Sequence, residues 1–424
     1  MNEKPPAVLL CAFVLALLAL GCSQPVDPSI SNSSKADQPL TIVQTESPAV
    51  GDAREPELNA THDGRIVLSW VERIADKRYA LRAAIRNSQG WSEPGTVSEG
   101  DNWFVNWADF PSVIAMRDGS LAAHWLVKSG AGTYAYDVNI SISRDGGKTW
   151  SRPIVPHRDN TQTEHGFVSL VPLPDGRLGA IWLDGRNMGP PKEGEEHASA
   201  KESMTLRYAA LESDGRLADE TQLDDRVCEC CQTSAATTNE GVIAVYRDRS
   251  EGEIRDIYAV RQNGGTWSAP YVVNADNWEI NGCPVNGPSV SAEGQLVAVA
   301  WFTGVGETPH VKVAFSDDAG ATFSNVIVVD EGETVGRVDV LQLGDGSALV
   351  CWMSGNTDGG AINVRRVRRS GALGPTSVIA RTDISRSSGF PRMARLGNEV
   401  HFAWTEFGTP SRIRTAFTDL SAIE

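Results

Sequence analysis

The 424-residue sequence is short of positive charge, of methionine and of long apolar runs. Lys and Arg number 38 against 54 Asp and Glu, a formal net charge of −16. That balance argues against a nucleic-acid partner, because binding a phosphate backbone is driven by positive charge. Otherwise it speaks only to solubility. Six Met beside 12 Trp is unlike a helical-bundle core. The apolar run at residues 7–20 is too short for a permanent membrane span of about 20 residues. Tyrosine is absent beyond residue 271. Glycine is plentiful, at 40 residues, and together with the tryptophans it points to a large globular chain rich in β structure.

Lys4, the apolar run and Gly21-Cys22 read as an export signal. The ending ALGC resembles a bacterial lipobox, in which Cys22 becomes the lipidated first residue; an ordinary secretory peptide is the alternative. By the same resemblance, Ser23 in place of Asp implies the outer membrane. The expectation is a lipid-anchored protein of the bacterial cell envelope, with the membrane as a partner through that anchor. Residues 23–40 are rich in Pro, Ser, Asn and Asp and read as a flexible tether. Residues 41–424 carry no visible internal boundary and are expected to form one domain.

A phrase recurs through that domain: an acidic or Asn turn with Gly, then alternating apolar residues ending in an aromatic. The copies end at Trp70, Trp125, Trp182, Tyr246, Trp301, Trp352 and Trp404, spaced by 55, 57, 64, 55, 51 and 52 residues. A strand-like segment precedes each copy and an alternating strand follows it. A fourth segment often opens with an aromatic and Ser, as in WSEPGTV and WSAPYVV. Period-two alternation with Gly, Asp and Asn punctuation makes these segments strands. Four strands repeated about every 55 residues describe propeller blades. The fold class is therefore all-β, a β-propeller of four-stranded blades, seven by repeat count. The last unit lacks a fourth strand, which TIVQT at residues 41–45 supplies, closing the ring and removing open sheet edges. A monomer is expected.

Two turns are more specific. SRDGGKTW (143–150) and SDDAGATF (316–323) fit the pattern S-x-D-x-G-x-T-W/F, in which Asp145 and Asp318 accept backbone N–H bonds within a tight turn. On these motifs the sequence resembles the BNR/Asp-box sialidase-like superfamily over nearly all of residues 41–424. That resemblance implies a glycoside hydrolase acting on acidic sugars of the sialic acid type. It also implies six blades, the alternative to the count of seven. In that family the boxes lie opposite the active face, so the loops leading into each first strand and following each repeat aromatic would build the site.

Those loops hold the candidates. An arginine cluster would grip a substrate carboxylate through bidentate pairing. Arg54, in AREPEL, is similar to the family's R-I-P-x-L; Arg255 and Arg337 are further candidates, with Arg186, Arg247 and His165 nearby in the same loop set. Asp109 or Asp76 would be the acid/base, Glu253 the assisting carboxylate and Tyr246 the nucleophile. Inter-blade salt bridges are the alternative role for the arginines, and core packing the alternative for Tyr246. A glycan- or protein-binding propeller without catalysis is the competing reading of the whole.

Cys351 falls in a central strand as a small buried hydrophobe. Cys228, Cys230, Cys231 and Cys283 sit in the lead-in loops of adjacent blades. Export favours one or two disulfides there; a thiolate metal site, with His157 or His165, and a redox role are the alternatives. CxCC suits a soft metal but lacks the usual C-x₂-C spacing. No other cofactor is expected. The charged insertion at 190–203, with His197, reads as a solvated loop or lid.

Overall fold

The computed structural model describes residues 40–87, 89–188, 203–306, 308–356 and 359–424. Cys22, the signal-like segment, all but the end of the tether, and most of the 190–203 insertion with His197 lie outside the described residues. Among those described, no helix is long and apolar enough to cross a membrane.

The described residues form seven antiparallel sheets. The first strand, β1 (Val43–Thr45), belongs to the last sheet. Blade 1 comprises β2 (Asp52–Ala60), β3 (Ile66–Ala75) and β4 (Arg78–Asn87), with its outer edge split into β5 (Gly90–Trp91) and β6 (Gly95–Gly100). Blade 2 is β7 (Ser112–Ala115), β8 (Leu121–Lys128) and β9 (Tyr136–Ser143). Blade 3 is β10 (His165–Pro172), β11 (Leu178–Asp184), β12 (Met204–Leu211) and β13 (Leu217–Val227). Blade 4 is β14 (Ser234–Thr237), β15 (Gly241–Arg247) and β16 (Ile257–Asn263), edged by β17 (Thr266–Trp267) and β18 (Tyr271–Asn274). Blade 5 is β19 (Ser289–Glu293), β20 (Leu296–Thr303), β21 (His310–Ser316) and β22 (Ile327–Val328). Blade 6 is β23 (Thr334–Gln342), β24 (Ala348–Asn356), β25 (Gly359–Val367) and β26 (Ser377–Thr382). Blade 7 is β27 (Arg392–Leu396), β28 (Glu399–Glu406) and β29 (Arg412–Asp419).

β1 pairs with β29, Val43 opposite Phe417, so the two ends of the chain close one blade as expected. The count of seven stands, and the six-bladed alternative falls. Blade 2 departs from the four-stranded expectation: its fourth segment is reduced to a single bridge between Ile140 and Ile154. Pro153 sits in that segment without an N–H to give to a ladder.

The repeat aromatics explain why the blades stack. Each is buried in the seam with the preceding blade: Trp70 against Ala403 and Ile413, Trp125 against Val67 and Leu81, Trp182 against Leu126 and Val138. Tyr246, Trp301, Trp352 and Trp404 fill the next four seams in the same way. An indole that buries about 200 Å² contributes of the order of 4 kcal/mol. Seven such wedges fix the radial spacing of the blades.

The SRDGGKTW and SDDAGATF turns share one hydrogen-bond set. Asp145 accepts from the Thr149 N–H at 2.9 Å and its hydroxyl at 2.6 Å, and Asp318 accepts from Thr322 at the same two distances. These bonds, that from the Thr149 hydroxyl foremost, hold the Asp145 carboxyl down at about 2.

First strands line an axial channel of about 330 Å³. Three of them, β2, β10 and β23, carry a bulge opposite the seam tryptophan. Glu55, Phe167 and Arg337 occupy these bulges with φ of 57°, 52° and 53°. Left-handed backbone is costly for such residues. A bulge re-aims the side chains around it, and of the three Phe167 lines the channel.

Candidate functional site

The site is assembled from loops that the stacked blades bring to one end of the channel. Asp109 precedes β7, Tyr136 opens β9, Glu164 immediately precedes β10, and Glu55 sits in the β2 bulge. The Tyr136 hydroxyl lies 2.7 Å from Asp109 Oδ2 and 2.8 Å from Glu164 Oε1. The Phe167 N–H donates to the other Asp109 oxygen at 2.7 Å. Gly166 makes room for this arrangement: a Cβ there would stand 2.0 Å from Asp109 Oδ2.

A phenol carries one proton, yet two carboxyl oxygens crowd it. Both contacts are hydrogen bonds only if one carboxyl is itself protonated. Burial supplies that proton: it raises Asp109 to about 7, against the bonds from Tyr136 and Phe167. Burial also raises Glu164 to about 8, with Asp109, Glu229 and Cys283 pushing the same way. Glu55, buried near Asp109, is raised to about 8, again by burial first. Tyr136 is fully enclosed, with its own titration driven well above the ordinary range by the same burial. Only Glu164 of the trio is half-buried, so it is the member that meets solvent.

Behind Glu164, His165 is buried, with Nε2 3.2 Å from Asp159 Oδ2 and Nδ1 3.3 Å from the Tyr136 carbonyl. His157 stacks on it at 3.7 Å, with ring planes 2° apart. Burial, then the neighbouring His165, lowers His157 to about 3. Arg186 grips Asp184 through two bonds of 2.7 Å and also reaches Asp159 at 3.2 Å.

The arginines divide. Arg247 donates to the carbonyls of Arg255, Asn286 and Phe302 and stacks over Trp278. Arg337 donates to the carbonyls of Ile384, Ser385 and Gly389 and lies over Trp107. Both guanidinium groups are occupied in tying blades together. Arg255 pairs with Glu253 at 2.9 Å and Glu229 at 3.4 Å, and Arg249 holds Glu253 at 2.8 Å. Arg54 pairs with Asp52 at 3.0 Å and leaves about a third of its side chain exposed, 34%.

Of the other residues expected at the site, Tyr246 is buried in the seam of blades 3 and 4, its hydroxyl on Asp224. Asp76 stays exposed in the turn between β3 and β4. Asp109 is central. The four cysteines form no disulfide, and Cys228 Sγ lies 3.4 Å from Cys231 and 3.7 Å from Cys230. Cys351 is a buried core thiol in β24. Tyr136 and Glu164 escaped sequence reasoning as site residues. The available signal was parity: Tyr136 shares its strand face with Val138 and Ile140, and a phenol on an apolar face needs a polar partner.

No protein-family model and no curated protein matches the sequence. Solved structures do. An ulvan lyase, reported as a new family of polysaccharide lyase and bound to GlcA(1-4)Rha3S, aligns over 90% of this chain and 95% of its own at 12% identity and TM-score 0.54. A Dyadobacter fermentans protein of unknown function aligns over 89% and 97% at 14% identity and TM-score 0.50. The NanB sialidase of Streptococcus pneumoniae aligns over 91% and 71% at 13% identity and TM-score 0.46. The likeness is one of fold: this chain shares the β-propeller architecture of the ulvan lyase and the Dyadobacter protein.

Proposed function

We propose that the protein is a carbohydrate-active enzyme that cleaves a glycosidic bond at the Glu164 end of the channel. The observation that carries this reading is the single Tyr136 hydroxyl held between two carboxyl groups whose burial keeps them protonated near neutral pH. Glu164, the member that meets solvent, donates its proton to the departing sugar oxygen as the C–O bond breaks, and the carboxylate left behind takes a proton from the water that adds to the anomeric carbon. Tyr136 and Asp109 act behind it as positioning residues that hold and return a proton. The two carboxyl oxygens are at most about 5.5 Å apart, two hydrogen bonds of 2.7 and 2.8 Å laid end to end.

The substrate class is an acidic sugar of the sialic acid type, with Arg54 more exposed than Arg186 or Arg255 to meet its carboxylate. The enzyme works as a lipoprotein of the cell envelope anchored through Cys22. Hydrolysis of a fluorogenic sialoside beside a panel of neutral glycosides tests the activity. Turnover should fall by about 10²–10⁴-fold in Glu164→Gln. Glycan binding without turnover by the wild type would instead establish a non-catalytic propeller, and loss of lipid labelling in Cys22→Ser tests the anchor.

A further inference from the structure

We propose that Cys228, Cys230, Cys231 and Cys283 form a tetrathiolate site for one thiophilic d¹⁰ cation, Zn(II), that ties the lead-in loops of blades 4 and 5 together. Three of the sulfurs lie within 4.8 Å of one another, two of their separations being 3.4 and 3.7 Å. Four Zn–S bonds of about 2.3 Å in a tetrahedron place the sulfurs about 3.8 Å apart. The fourth ligand comes from the next blade: Cys230 is hydrogen-bonded to Cys283 as well as to its two loop neighbours.

The pattern of contacts separates an ion from disulfides. A disulfide pairs sulfurs two by two at about 2.05 Å. Here Cys228 is shared between Cys230 and Cys231, and Cys230 also contacts Cys283, so three sulfurs form a close group and the fourth joins it through Cys230. The surroundings suit a doubly negative metal–thiolate group. Arg255 Nη1 reaches Cys228 Sγ at 3.3 Å, and the Asn286 N–H donates to Cys231. Such outer partners hold ligands in place and offset their charge. Arg255 Nε is buried with no hydrogen-bond partner, so the guanidinium is aimed at the sulfur and carboxylate side. On binding, each thiol gives its proton to solvent and its electron pair to the cation, with no change in oxidation state. Four protein ligands leave no open position, which makes the site structural, although Cys283 lies near enough to Glu164 to act on that carboxyl electrostatically.

The test uses the reduced full-length protein. Titration with Co(II) as a spectroscopic probe should give the intense thiolate charge-transfer and visible ligand-field bands of a tetrahedral sulfur site, saturating at one ion per chain. Zn(II) should displace Co(II), and elemental analysis of the dialysed protein should then find one zinc. Cys283→Ser, an isosteric change at a half-buried position, should keep the fold by circular dichroism and weaken binding at least tenfold. Cys351→Ser should leave the stoichiometry at one. Absence of the sulfur bands in folded wild type, a mass showing disulfides that persist in the protein as isolated from cells, or undiminished binding by a Cys228→Ser/Cys283→Ser double variant would overturn the proposal. Displacement of Zn(II) by Cu(I) at a stoichiometry above one would identify a copper cluster instead and overturn the assignment to zinc.

Discussion

The Tyr136 hydroxyl donates to Asp109 Oδ2 at 2.7 Å, and its phenolic oxygen also lies 2.8 Å from Glu164 Oε1. This arrangement makes stability depend on pH in an unusual direction. Asp109, Glu164 and Glu55 are raised to about 7, 8 and 8, so the folded chain keeps protons that the unfolded chain has lost. Stability therefore falls as pH rises through that range. His157 and His124, both lowered to about 3, act in the opposite sense, but their contribution is complete above their ordinary value of 6.5. Between pH 6.5 and 8 the carboxyl groups dominate. Urea unfolding should show a loss of about 1–3 kcal/mol across that interval, and the slope should be shallower in Glu164→Gln. A flat or rising profile would show that the carboxyl groups are ionised throughout.

Gly166 tests the same packing sterically. Its φ is not in the left-handed region, so alanine fits the backbone, yet the new Cβ would lie 2.0 Å from Asp109 Oδ2 and 2.8 Å from Tyr136 Cε2. Gly166→Ala must push the carboxyl off the phenol. The expected cost is about 1–3 kcal/mol in unfolding free energy, as for overpacked cores. The pH slope should weaken in parallel, a change that loss of packing alone would not produce.

The propeller was legible because its signal is repeated. Each blade spells out a turn, an apolar strand and an aromatic, and each of those aromatics proved to be a wedge in a seam. The site was less legible, because its members are single residues from different blades whose meeting depends on closure of the ring. Asp109 is offered by its lead-in loop. Tyr136 was hidden by its place on an apolar strand face, and Glu164 by the histidine beside it. Arg337 was read as a ligand-binding side chain, but the bulge that aims it is a property of backbone conformation. In that position its guanidinium reaches three carbonyls of the next loop.

The contrast between Arg247 and Arg54 separates architectural from ligand-facing arginines. Arg247 is buried, with donors spent on the carbonyls of Arg255, Asn286 and Phe302. Removing it strands three acceptors between blades 4 and 5, so Arg247→Ala should destabilise by about 3–5 kcal/mol. Arg54→Ala loses one partly exposed pair with Asp52 and should cost at most about 1 kcal/mol. If Arg54 meets an anionic sugar, its variant should raise KM on an acidic substrate while leaving the unfolding midpoint near that of the wild type. Equal stability losses in the two variants would assign both residues to the scaffold.

Ring closure rests on a short strand. β1 contributes three paired residues to blade 7, and the Thr415 hydroxyl meets the Thr45 hydroxyl at 2.7 Å while the Thr418 hydroxyl donates to the Thr41 carbonyl at 2.8 Å. Leu40 and Ile42 pack on the core shared by blades 6 and 7. Deleting residues 40–45 therefore removes a hydrophobic contact and leaves the N–H and C=O groups along the outer edge of β29 without their ladder. An unpaired edge is a template for another chain. The deletion should lower the thermal midpoint by roughly 5 °C and make the protein self-associate, seen as concentration-dependent light scattering below that midpoint. An exchange experiment sharpens the reading: a synthetic peptide spanning residues 40–47 should suppress the scattering if the open edge is its cause, and should leave it unchanged if the deletion acts by loosening the blade 6 and 7 core.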